Sequence, residues 1–112
     1  MNDIVITPEQ IRSNMAATLT ELRKAADAIE RLETIAERSD LIVDTAFDMS
    51  LLNSTGTVDE RKAKARLDSI EKRDEAIVHR AALNRAKLKA KHLEQTLMTW
   101  QSMLKSIQIE GA

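Results

Sequence analysis

The sequence predicts an all-α protein, a long two-helix antiparallel hairpin that associates as a coiled coil. Three observations predict it. One proline, two glycines and two aromatic residues in 112 positions leave little punctuation and little sheet-forming material. Apolar residues repeat every seven positions along two long stretches. A capping signature stands at the start of each stretch.

The first helix begins at Thr7-Pro8-Glu9-Gln10. Thr7 accepts from exposed amides of the first turn, Pro8 suits the first helical position, and Gln10 reaches back to close a capping box. No proline or glycine follows until Gly56. Met15, Leu22, Ile29, Ala36 and Val43 form one heptad column, and Ala25, Leu32 and Ala46 form the adjoining one, which Thr18 and Ser39 interrupt. Asn53-Ser54-Thr55-Gly56 is a turn cluster, and Thr57-Val58-Asp59-Glu60 is a second capping box with Thr57 as cap and Glu60 as its reciprocal partner.

The second helix is expected to run unbroken to about Ile107. Its seam begins as Ala63, Leu67, Ile70, Ile77 and Ala81, then resumes as Leu83, Ala86, Ala90, Leu93, Leu97, Trp100, Leu104 and Ile107. The phase slips between Val78 and Leu83, as at a stutter. The chain therefore reads as one domain over residues 1–112, with helix 1 at about 8–52, a turn at 53–57 and helix 2 at about 58–107. Residues 2–6 and 111–112 are expected to be loose. Leu41, Ile42, Leu51, Val78 and Leu88 lie off these seams, and this second apolar surface points to a homo-oligomer closed by symmetry.

With no cysteine there is neither a disulfide framework nor a thiolate metal site, and the N-terminus lacks the basic start and apolar run of a signal peptide. A cytoplasmic location is expected, in the host cell if the chain is phage-encoded. No apolar stretch approaches the roughly 20 residues that cross a bilayer. His79 and His92 have no nucleophile or ligand set beside them, and there is no glycine-rich phosphate loop, so neither an enzymatic activity nor a cofactor is expected.

Charge is unevenly placed. Residues 1–56 carry five basic against ten acidic residues, and residues 57–112 carry twelve against eight. Glu30, Glu33, Glu37, Asp40, Asp44 and Asp48 form an acidic stripe on the first helix. Folding back about the turn pairs positions whose numbers sum to roughly 110, which sets this stripe opposite Lys62, Arg66, Arg73 and Arg80 as a charge ladder. Carboxylates spread along a straight helix do not converge on one point, so no metal site is read from them.

The stretch Ala76 to Leu93 has no acidic residue and holds Arg80, Arg85, Lys87, Lys89 and Lys91 with His79 and His92. The same fold-back sets Arg85 to Lys91 opposite residues 19–25, where Glu21 is the only acid, leaving the tract uncompensated. Three readings stay open: a solvated helix face, a surface for nucleic-acid phosphate, and a basic patch for a membrane surface or acidic protein. Arg85, Lys87, Lys89, Lys91 and His92 are the candidate nucleic-acid-binding residues. Trp100 could stack on an unpaired base, but its register with Leu93, Leu97, Leu104 and Ile107 places it in the core or oligomer seam.

The run Ala86-Lys87-Leu88-Lys89-Ala90-Lys91-His92-Leu93-Glu94, with its continuation Leu97 to Ile107, resembles the last helix of small phage-encoded helical proteins of the UvsY type. That resemblance implies a recombination mediator, an oligomer that binds single-stranded DNA and helps a recombinase or annealing protein displace the single-strand-binding protein. The rival expectation is a coiled-coil protein-binding module: a structural protein, an assembly chaperone or an inhibitor of a host factor.

Overall fold

Two capping threonines set where the helices start. In the computed structural model, which describes residues 6–110, Gln10 N donates to Thr7 Oγ1 at 3.2 Å and Thr7 N donates to Gln10 Oε1 at 2.9 Å, the reciprocal pair of a capping box. Helix α1 follows as Pro8–Asn53. Thr57, in an extended conformation, accepts from Glu60 N at 3.2 Å and starts α2, Val58–Asp68. Among the described residues the Glu60 carboxylate makes no hydrogen bond back to Thr57 N, so the expected reciprocal box is half formed; the carboxylate lies against Gly56. Helix α3 is Ile70–Glu110. There is no strand among the described residues, and no helix is long and apolar enough to cross a membrane. The expectations for residues 2–5 and 111–112 lie outside the described residues.

The expected single second helix is two. Ser69 separates α2 from α3, is fully buried, and donates its hydroxyl to Arg66 O at 3.2 Å. A serine that bonds back to its own helix loosens the regular ladder and bends it. Helical phase survives the break, because Ser69 N still donates to Ala65 O at 3.1 Å and Arg73 N to Ser69 O at 3.0 Å.

The described residues form two compact units, residues 29–85 and the two segments 6–28 and 86–110. In the first, α1 runs antiparallel to α2 and the start of α3. Arg61 donates to Leu51 O through Nη2 at 2.9 Å and Nε at 3.3 Å, satisfying a carbonyl at the α1 C-terminus with a cation. Ser50 Oγ donates to Asp68 Oδ2 at 2.7 Å, Arg73 lies 5.9 Å from the centroid of the Phe47 ring, and Arg80 pairs with Asp40. From Ser50/Asp68 onward these partner numbers sum to about 120, which corrects the expected register of about 110. Of the four expected ladder cations only Arg80 finds the stripe; Arg73 covers Phe47 instead, and Lys62 and Arg66 form no ion pair among the described residues.

The inner seam of this unit also differs from expectation. Its buried positions are Ala36 and Ser39 of α1, Ala65 of α2, Ser69 at the break, and Ala76 and Leu83 of α3. Leu67, Ile70 and Ile77, expected on that seam, are exposed, as is Ala63. The buried positions Ala65, Ser69, Ala76 and Leu83 keep heptad phase with Ala86 and Ala90, so the slip near Val78 does not exist. The sequence carries two stripes on one helix, and the larger side chains are on the outer one.

In the other unit, Ile11, Thr18 and Ala25 are the buried positions of α1, and Leu93, Leu97, Trp100, Leu104 and Ile107 of α3 are half-buried. Thr18 does not break the seam. Its hydroxyl donates to Asn14 O at 2.8 Å, which lets a polar side chain occupy a buried position.

Gly56 has φ +113°, and a Cβ built there stands 2.5 Å from Glu60 Oε2. Gly56→Ala is expected to cost about 1–2 kcal/mol, because the backbone strain falls on any L side chain. Thr57→Ala should cost about 1 kcal/mol by loss of the cap. Urea denaturation followed by circular dichroism measures both. Neither should shift the midpoint less than Thr55→Ala, since Thr55 caps nothing.

Candidate nucleic-acid interface

The basic tract occupies the middle of α3, where leucine and alanine alternate with lysine and leave no helix breaker. Its inner positions are half-buried Ala86, Ala90 and Leu93, and these orient the rest. Lys89 and His92 flank one side of that seam and Lys87 and Lys91 the other, all four exposed. Arg85, also exposed, is the last residue of the 29–85 unit.

The compensation of these charges is uneven. Lys87 is engaged by another group, so the tract is not free along its whole length, contrary to expectation. Glu33 of the acidic stripe is likewise engaged. Arg85, Lys89 and Lys91 form no ion pair among the described residues. Arg85 and Lys89, and Lys87 and Lys91, are like-charged i,i+4 pairs. Each such pair costs a helix about 0.2–0.5 kcal/mol, a cost that a bound polyanion removes.

Histidine adds no further chemistry. His79 is half-buried and His92 exposed, thirteen positions apart on one helix. Among the described residues no three side chains are placed to hold a metal ion.

Trp100 lies on the inner face but is not fully covered. It lines a shallow cleft with Ile6, Gln10, Ser13 and Asn14, at the start of α1. No direct sign of this cleft is visible in the sequence; the polar residues Ser13 and Asn14 beside the first heptad position are the one trace of it. The outer stripe of α2–α3 and the cap supplied by Arg61 were equally hidden, since both depend on which face α1 covers.

Comparison with known proteins returns nothing: no protein family, no curated protein and no solved structure matches the chain.

Because Trp100 is half-buried, Trp100→Ala should destabilise the protein by about 2 kcal/mol, below the ~3–5 kcal/mol of a fully buried aromatic. Thermal and urea unfolding measure this. A variant that melts with the wild type would show that the indole contributes no packing.

Proposed function

We propose that this chain is a non-enzymatic accessory protein that binds single-stranded DNA through the basic tract of α3. The observation that carries the reading is the exposure of Arg85, Lys89 and Lys91 without an ion-pair partner among the described residues, in a stretch free of acidic residues. Phosphate neutralisation by such cations releases counterions and gives affinity without sequence preference. His92 is exposed on the same flank as Lys89. The resemblance of residues 86–107 to helices of the UvsY type directs this reading to phage recombination or replication, with a recombinase or annealing protein as the further partner.

A second reading is a protein-binding coiled-coil module. A separate observation favours it: ten of the fifteen exposed large hydrophobic residues lie within residues 29–85, away from Lys89 and Lys91. An apolar surface of that kind binds protein rather than phosphate.

Fluorescence anisotropy with a labelled single-stranded oligonucleotide at several salt concentrations separates the two. The logarithm of the binding constant should fall linearly with the logarithm of salt, with a slope of about −0.7 for each phosphate neutralised. Lys89→Glu with Lys91→Glu should weaken binding to every sequence and reduce the slope by at least about 1.4 per chain, two phosphate contacts at about 0.7 each. Circular dichroism of that variant should match the wild type. Wild-type protein that leaves the oligonucleotide unbound at low salt would instead favour the protein-binding module.

A further inference from the structure

Ala63, Leu67, Ile70, Ile77 and Ala81 keep heptad spacing on the outer face of α2 and α3, with Asp74 in the remaining place. Leu67 is 68 % exposed, Ile70 46 % and Ile77 66 %. The i→i−4 bonds around Ser69 carry the stripe across the break in phase. Two heptad stripes on one helix describe a helix with two helical neighbours. Within residues 29–85 only one neighbour, α1, is present.

We propose that the outer stripe is the docking face for a second copy of this chain, α2–α3 against α2–α3, parallel and in register. This rests on neither reading of the basic tract. The choice of occupant and direction comes from the charges that border the stripe. In a parallel pair a residue on one edge faces the partner residue five positions further on. Arg66 then meets Glu71 and Asp59 meets Lys64, on both sides of the two-fold axis. These four side chains are exposed and form no ion pair among the described residues. Arg73 and Arg80, which would face Val78 and Arg85, are already engaged, by the Phe47 ring and by Asp40. Four of the edge charges that the fold leaves unsatisfied are thus completed by a parallel copy, whereas Arg85 comes opposite Arg80 and is not. An antiparallel pair that aligns Leu67 with Ile77 brings Arg73 to Arg73 and Glu71 to Glu71, and like charges reject it.

Asp74 lies inside the stripe, so a parallel pair brings two carboxylates together there. One polar position in such a seam fixes register at a cost in affinity. It keeps the association reversible.

Sedimentation or light scattering on the whole chain, with variants at exposed positions, tests the proposal. Wild type should exceed the 12.6 kDa of one chain at micromolar concentration. Leu67→Glu with Ile77→Glu should keep its helicity by circular dichroism and raise the dissociation constant by more than about a hundredfold, since two buried apolar side chains per copy are lost. Asp74→Leu should tighten association. The chain has no cysteine, so a single Ile70→Cys reports register cleanly: under mild oxidation it should cross-link to itself. A monomeric wild type overturns the proposal, as does a Leu67→Glu, Ile77→Glu variant that keeps the wild-type mass. Failure of Ile70→Cys to self-cross-link, with a mixture of Leu67→Cys and Ile77→Cys chains cross-linking to each other, overturns the parallel arrangement.

Discussion

The size of the side chains on the inner seam governs the rest of this structure. Within residues 29–85 the buried positions are Ala36, Ser39, Ala65, Ser69, Ala76 and Leu83, so only one is larger than alanine or serine. Small residues let two helices approach closely, yet each alanine withdraws little more than a methyl group from water. At about 0.8 kcal/mol per methylene-sized group, such a seam is specific in shape and poor in hydrophobic stabilisation. Leu67, Ile70 and Ile77, each worth about 1.5–3 kcal/mol on full burial, point outward. The larger apolar term is therefore available to association rather than to the fold of one chain.

That division explains what the sequence disclosed and what it hid. The starts of α1 and α2 were legible because a cap is local: Thr7 with Gln10 and Thr57 with Glu60 need only their own three-residue spacing to form the bonds seen. The all-helical class followed from the scarcity of breakers. The seam of the second half was not legible, because pattern reading weights large apolar residues, and Leu67, Ile70 and Ile77 outweigh Ala65, Ser69 and Ala76. Two interleaved stripes then look like one stripe with a slip. Register was hidden for another reason. It depends on the path the chain takes through its reversal, and a turn sequence such as Asn53 to Gly56 does not encode that path.

The candidate site divides in the same way. Exposure of Lys89 and Lys91 follows from helix periodicity once Ala86, Ala90 and Leu93 are placed inward, and periodicity is visible in the sequence. Compensation of charge depends on register, so the partner of Lys87 was not visible. For the same reason the acidic stripe was overvalued as a ladder. Its pair with Arg80 is about half exposed on both sides, a setting in which an ion pair contributes about 0–1 kcal/mol. The charges on this surface contribute little to holding the chain folded.

Association and anion binding, both proposed for this chain, would reinforce one another. A single tract offers few cations, and each phosphate contact in water is weak and screened within about 8 Å at physiological salt. If the proposed pairing and the proposed strand binding both hold, a pair would carry two tracts, and a second tract able to reach the same strand would engage it at an effective concentration set by the tether rather than by the bulk solution. The apolar part of the proposed pairing would not weaken as salt rises, whereas its edge ion pairs and the phosphate contacts would. Rising salt would therefore act more on the strand, whose proposed contacts are ionic, than on the pairing, whose main term is apolar.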